Sequence, residues 1–463
     1  SVLLGDGRSA RLYRKLVYEK QIARDVAVAS VSQEIAGEFH VQVTAAPGHS
    51  LDEMESAVRE ELDLIGREPP GDHELTRAKN RVESSVVRQL QRIGGFGGRA
   101  DSLNFYNTLA GDPSLINTEL DRYLAVTAEE VQRVAAEALN DNHVRLSVLP
   151  EKELSASTAS VDRTAMPGAA TAAAFTPPVP RRAQLPNGLR IVFLERPQFP
   201  MVAFSLVVKA GAVNDPPARP GLAHLTASML QEGTANRSAL EIADEMEFLG
   251  ASLSSEAARE YVTVSTETLT AHWPAALEIL ADVVRNPTFP AEELERVRRE
   301  RLVDLRRIAD SPQAIAGRLS TGLLYGPQTR YGHPATGSER SVEAMTQSDL
   351  AAHYGGHYGP RDSTLVVVGD AREEEVVSRV EALFGDWSDD GRTPAASDGD
   401  EAPETAPTTI FLADKPGAAQ SVIRAGHLTI PRHDPDYHAL TLLNDVFGGQ
   451  FSARLNMNLR QDK

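Results

Sequence analysis

The sequence predicts an α+β protein made of two mixed blocks of strands and helices and the beginning of a third. Strand-like segments come in pairs with runs of helices between them, which favours α+β over a doubly wound parallel sheet. Two stretches are typical of linkers: residues 152–182, rich in Ser, Thr, Ala and Pro, and residues 388–407, rich in acidic residues and Pro. Of the 463 residues, 41% are hydrophobic and 24% are charged, a composition typical of globular domains.

The first block, residues 1–151, alternates β-branched strand patterns with helical apolar spacing. Thr127 and Glu130 form a capping box, a pattern that begins a helix. The predicted elements are strands at 27–32 and 38–44, helices at 51–65, 73–91 and 127–139, and a strand at 143–148.

The second block, residues 183–387, and the third, residues 408–463, follow the same logic. In the second block we predict strands at 189–194, 202–208, 261–266 and 363–369, and helices at 219–231, 238–248, 273–285, 291–308 and 373–384. In the third we predict strands at 409–412 and 421–425 and a helix at 437–447.

Composition excludes several classes of function. The chain has 47 Lys and Arg against 65 Asp and Glu, a net charge of −18, which disfavours binding to nucleic acid or to an anionic membrane. No apolar run approaches the roughly 18 residues that membrane insertion needs. Cysteine is absent, which excludes disulfides, Cys-ligated metals and thiol catalysis.

The first residues resemble the last. Residues 3–16 align with residues 446–459, with Gly5 on Gly448, Ser9 on Ser452 and Leu16 on Leu459. Because Ser1 is not a natural start, we expect a piece of a longer chain that contains two long repeats.

Four segments carry a resemblance to a known family: residues 123–130, 185–192, 221–234 and 358–370. Together, and in this order, they resemble the M16 (insulinase/pitrilysin) metallopeptidase family. The resemblance implies tandem M16 (LuxS/metallohydrolase-like) domains, each a mixed, largely antiparallel sheet flanked by helices. Residues 1–151 would be the second half of a first repeat, 183–387 a degenerate peptidase-like domain, and 408–463 the truncated start of a C-terminal M16 domain.

The family binds zinc through His-x-x-Glu-His on a helix and a Glu further along the chain, and the Glu of the motif is the general base. In this sequence His224 takes the first position, but Ala227 replaces the base and Ser228 the second histidine. Arg306 is predicted near the third ligand position. We therefore expect no zinc site in this block, and we expect His224 to be a packed or hydrogen-bonded histidine.

The family's second constellation is an Arg and a Tyr seven residues apart, which the resemblance implies hold the substrate backbone and stabilise the oxyanion. In the first block Val17 and Arg24 occupy these positions, so the pair is absent. In the last segment Arg460 matches the Arg, and the alternative is an ordinary charge on a helix surface.

Other sequence patterns give only weak evidence of a phosphate, metal or nucleophile site. The Gly-rich segment 93–98 lacks the Lys-Ser/Thr of a phosphate loop. His353 and His357 have helical spacing, but two glycines lie between them and disfavour a helix, so a metal site is not expected. No nucleophile-elbow pattern is present.

The leading hypothesis is the non-catalytic part of a two-repeat zinc endopeptidase that encloses peptide substrates in a chamber. The resemblance implies zinc in the full-length parent, carried by an N-terminal domain upstream, and none in this fragment. It suggests a bacterial, periplasmic protein and leaves a homo-oligomer open. Two alternatives remain: a non-catalytic M16-like scaffold resembling the core subunits of respiratory complexes, and a parent that supplies the Arg/Tyr pair to a catalytic subunit in trans.

Overall fold

The computed structural model describes residues 1–32, 36–140, 143–148, 177–327, 329–389, 408–418 and 420–462. The chain forms two compact units, one of residues 1–308 and 334–398 and one of residues 309–333 and 399–463. Among the helices in the described ranges, none has both the length and the apolar character needed to cross a membrane.

The first block contains an antiparallel pair of strands, β1 (Ala23–Ser32) and β2 (Gly37–Ala45). Helix α1 (Val2–Gly5) and a π-helical turn (Tyr13–Glu19) precede the pair, and the leucines of this N-terminal segment lie in the block's core. The helices that follow are α2 (Leu51–Arg67), α3 (Asp72–Gln91), α4 (Arg99–Ala110), α5 (Glu119–Ala125) and α6 (Ala128–Ala138).

The second block is built on a six-stranded mixed sheet. Its strands are β3 (Arg181–Gln184), β4 (Arg190–Glu195), β5 (Met201–Val208), β6 (Ser252–Ala257), β7 (Val262–Leu269) and β8 (Ser363–Gly369). They lie in the order β3-β4-β8-β5-β7-β6, and every neighbouring pair is antiparallel except β4 and β8. Alternate residues of β5 such as Phe204 and Leu206 are buried in the core, so one face of the sheet supports the helices.

Eight helices follow the strands of the second block or connect them. They are α7 (Leu222–Met229), α8 (Ala239–Phe248), α9 (Trp273–Arg285), α10 (Ala291–Asp310), α11 (Pro312–Tyr325), α12 (Glu339–Glu343), α13 (Gln347–His357) and α14 (Glu373–Phe384). Helix α11 belongs to the second unit, together with α15 (Tyr437–Asn444), α16 (Arg454–Met457) and π-helical turns at Asp445–Gly449 and Asn458–Asp462.

The predicted α+β class is confirmed, and so are most of the predicted elements in the first two blocks. Three predicted strands are wrong: residues 143–148, 409–412 and 421–425 have no strand structure. A strand is stable only when a neighbouring strand forms hydrogen bonds with its backbone N–H and C=O groups. These segments have no such neighbour in the described chain. Val144 is 94% exposed and Leu412 is 95% exposed.

Other differences concern boundaries and missed elements. The predicted helix at 219–231 is shorter, and sequence reasoning missed β3, β6, α4, α5, α11, α12 and α13. The linker predicted at 152–182 ends inside β3, because Arg181 and Arg182 pair with β4. Its residues 152–176, like 390–407 of the acidic linker, lie outside the described residues.

Candidate functional site

Helix α7 carries the positions that correspond to a zinc motif, and its start is firmly fixed. The Asp215 carboxylate accepts hydrogen bonds from Gly221 N and Ala223 N, both at 2.7 Å, which satisfies two amides that a helix leaves free at its first turn. Gly221 has a φ of +93°, and an added Cβ would lie 2.7 Å from the Gly337 backbone, so glycine is required there.

The three motif positions on α7 do not present a ligand set. Ala227 is fully buried and offers no proton acceptor. Ser228 Oγ donates to the His224 carbonyl oxygen at 3.0 Å, so its hydroxyl is satisfied by the helix's own backbone. Only His224 could bind a metal ion.

His224 is half-buried, and its Nδ1 lies 2.9 Å from an Arg301 guanidinium nitrogen. Because a guanidinium only donates, Nδ1 must accept, which uses the lone pair and leaves the proton on Nε2. Burial, and next the charge of Arg301, lower the pKa of His224 to about 4. The imidazole is therefore neutral near pH 7 and already hydrogen-bonded.

The residue that faces His224 from α10 is Arg301, whereas the sequence placed Arg306 near this position. Arg306 is exposed and donates from Nε to Glu339 at 3.3 Å. The two arginines are five residues apart, which on an α-helix turns them about 140° away from each other. The cation that faces His224 from α10 is therefore Arg301, and Arg306 lies on another face of the helix.

These residues do not fit a zinc ion. Zinc sites use three or four ligands from His, Cys, Asp and Glu. Within the described ranges, no group of three or more such side chains could hold a metal.

The residues at the positions of the Arg/Tyr pair lie in different surroundings. Val17 is buried in the first block, and Arg24 pairs with Asp304 at 3.4 Å. In the second unit Arg460 is exposed, and its guanidinium carbon lies 5.6 Å from the Phe451 ring centroid. A cation over a ring face is a weak surface contact, so the role predicted for Arg460 stays a prediction.

A second feature, which sequence reasoning missed, is the polar face of the sheet opposite the core. Ser254 lies opposite Ser265, and Ser265 Oγ is 3.0 Å from Ser205 Oγ on the next strand. A cavity of about 300 Å³ opens here, lined by Ser254, Glu256, Ala257, Ala258, Tyr261, Thr263 and Ser265. Strand β6 has few β-branched or aromatic residues, so its sequence did not predict a strand at this edge of the sheet.

The sequence matches two descriptions of one family. The match to "Insulinase (Peptidase family M16)" covers residues 190–321, which include all of α7 and α10. The match to "Peptidase M16 inactive domain" covers residues 1–82 and 344–463, which contain the two similar segments 3–16 and 446–459.

Curated relatives are bacterial zinc proteases, themselves uncharacterized. YmxG of Bacillus subtilis is 27% identical over 283 residues, 61% of this chain and 67% of that protein. Rv2782c of Mycobacterium tuberculosis is 28% identical over 284 residues, 61% of this chain and 64% of that protein. The match thus spans about two thirds of the length of these relatives.

Two solved structures are similar to this chain in fold. A peptidase M16 inactive domain from Pseudomonas fluorescens has a TM-score of 0.53 and 27% identity, with 61% of this chain and 68% of that chain covered. A protease from Helicobacter pylori has a TM-score of 0.55 over 62% of this chain and 69% of that chain; at 18% identity it supports the fold alone. From its sequence matches, its mixed sheet flanked by helices and these structures, the chain belongs to the M16 (insulinase) peptidase family.

Proposed function

We propose that this chain is a non-catalytic portion of a two-repeat M16 zinc metalloendopeptidase, where it forms part of the chamber that encloses peptide substrates. The catalytic zinc is held by another domain of the parent protein, upstream of this sequence. The observation that carries the proposal is the environment of His224, where a guanidinium uses the only candidate lone pair and Ala227 and Ser228 replace the base and second ligand.

The open face of the sheet supports the role of a chamber wall. Strand β6 is at an edge of the sheet in the described part of the chain, and extended peptides commonly bind such an edge through main-chain hydrogen bonds. The cavity beside it carries hydroxyls, the Tyr261 phenol and the Glu256 carboxylate, which suit a polar or basic side chain. The assignment to peptides also draws on the relatives, which are named zinc proteases.

The test measures metal and hydrolysis on the purified chain. We expect far less than one zinc per chain by elemental analysis, and no chelator-sensitive cleavage of a fluorogenic peptide. The triple variant Ala227→Glu, Ser228→His, Arg301→Gln is expected to bind more zinc than wild type, because it restores acceptors around His224. Tight stoichiometric zinc in wild type, lost in His224→Ala, would contradict the proposal.

A scaffold without peptidase activity is the rival, and the same loss of zinc ligands favours it. The two differ in the parent protein. If the parent hydrolyses peptides and Arg460→Ala lowers kcat/KM, while the neighbouring Asn458→Ala does not, the enzyme proposal stands. If the intact parent neither binds zinc nor cleaves peptides, the scaffold proposal replaces it. The periplasmic location and a homo-oligomer stay predictions.

A further inference from the structure

The turn between β3 and β4 contains Asn187-Gly188, the only Asn-Gly dipeptide among the 463 residues. Asn-Gly is chemically the least durable asparagine context, because glycine has no side chain to keep its backbone nitrogen away from the asparagine amide. The turn is closed by a hydrogen bond from Gly188 N to the Leu185 carbonyl oxygen at 2.9 Å, and Gly188 has a φ of +99°. Backbone geometry therefore requires glycine at this position.

The Asn187 amide joins this turn to the end of α14. Its Nδ2 donates to the Phe384 carbonyl oxygen at 2.6 Å and to the Trp387 carbonyl oxygen at 3.1 Å. Its Oδ1 accepts from Leu189 N at 3.2 Å. Phe384 and Trp387 both lie in the core of the second block, so the amide attaches the turn to a buried part of the fold.

Deamidation would destroy this attachment. The Gly188 nitrogen bonds to Asn187 Cγ, the Cγ–Nδ2 bond breaks, and ammonia leaves with the proton from Gly188. Water then opens the five-membered imide at either carbonyl and leaves aspartate or isoaspartate. A carboxylate has no proton to donate, so two carbonyl oxygens that now receive hydrogen bonds would face a negative charge instead.

The folded turn resists the reaction. The attacking nitrogen is engaged with Leu185, and the amide is held by three hydrogen bonds. Reaction thus requires the turn to leave Phe384 and Trp387. We propose that Asn187 is a modification site that deamidates spontaneously only when the β3–β4 turn has detached from the end of α14, and that the product cannot re-attach.

The test compares the folded chain with a synthetic peptide of residues 182–193 in the same alkaline buffer made with ¹⁸O water. Mass spectrometry of digests reports the fraction converted at Asn187. If reaction follows the open fraction, we expect the folded chain to react about tenfold more slowly than the peptide, or slower still. Trp387→Ala, which loosens the attachment, should accelerate the reaction toward the peptide rate, whereas Tyr261→Ala, at an exposed site on the same block, should not.

A second measurement follows the product. Aged wild-type chains that carry the new charge are separated by ion exchange, and their melting temperature is compared with that of fresh chains. We expect a lower melting temperature, and Asn187→Asp should reproduce it if that variant folds. Equal reaction rates in the folded chain and the peptide, or an unchanged melting temperature after conversion, would overturn the proposal.

Discussion

His224 illustrates how one position of a metal-binding motif can keep its histidine where the neighbouring motif positions hold other residues. Its Nδ1 faces Arg301, and its neighbours on α7 are a buried alanine and a serine bonded to the helix backbone. An imidazole in this setting is a half-buried polar residue whose hydrogen bond comes from a cation. The lone pair that would bind zinc is the one that accepts from the guanidinium.

This arrangement predicts a stability that depends on pH. The pKa of His224 is lowered to about 4 in the folded chain, against about 6.5 in an unfolded one. The depressed pKa adds stability above pH 6.5 that is lost as pH falls toward 4, because the unfolded state takes up the proton first. The loss attributable to His224 is at most about 3 kcal/mol.

Urea unfolding at pH 7, 5.5 and 4.5 measures this contribution. His224→Gln should lose less unfolding free energy over the interval than wild type. The control is His40→Gln, because His40 lies on an exposed strand. Identical pH profiles for wild type and His224→Gln would show that the imidazole titrates normally.

At the scale of elements, the local sequence is enough to predict a feature whose hydrogen-bonding groups all lie close together in the sequence. The capping box predicted at Thr127 and Glu130 forms, since all its groups lie within one turn, and a second one that was not predicted forms at Ser238. Segments 3–16 and 446–459 both form short helical turns, yet Leu12 is fully buried and its counterpart Leu455 is 43% exposed. The similar residues of the two segments therefore determine the local helical conformation. The burial of their side chains depends on strands that are distant in the sequence.

Tertiary packing determines the features that could not be predicted from the sequence. Helix α13 forms despite Gly355 and Gly356 because Leu350 and His353 are buried, and packing outweighs a propensity cost of about 1 kcal/mol per glycine. The partner of His224 could not be predicted from spacing alone. Choosing Arg301 over Arg306 requires the rotation of α10 against α7, which tertiary packing sets.

The start of α7 offers a test at this scale. Asp215 is 5% exposed and accepts from two backbone amides of the helix start. Asp215→Ala should lower the free energy of unfolding by about 1–3 kcal/mol, because two buried donors lose a charged acceptor.

Asp349→Ala provides the comparison for Asp215→Ala, since Asp349 lies in a capping box that is largely exposed. Urea titration should give a clearly smaller loss for this variant. If both substitutions cost the same, the buried cap has no special part in positioning the helix that carries His224.

At the scale of the whole molecule, the first and second blocks belong to one compact unit, and hydrogen bonds to buried or half-buried carboxylates cross the boundary between them. Glu232 is 2% exposed and accepts from Arg8 of the first block at 2.7 Å and from Arg296 of the second. Tyr18 Oη donates to Glu293 at 2.7 Å across the same boundary. Removing one partner of a buried pair is costly because the other charge stays desolvated.

A cut between the blocks tests whether these pairs hold them together. A protease site is inserted within residues 152–176 of the full chain, which is folded and then cleaved. The two pieces should co-elute on size exclusion at micromolar concentration. Glu232→Ala should weaken their association about tenfold or more, since a hydrogen bond to a charged group contributes about 1.5–3 kcal/mol and each 1.4 kcal/mol is tenfold. Glu256→Ala, at an exposed carboxylate of the second block, should leave it unchanged. Pieces that separate in wild type would mean that the blocks are joined by the linker alone. Pieces that stay together equally well without the Glu232 carboxylate would mean that other contacts hold the blocks together and that this pair does not.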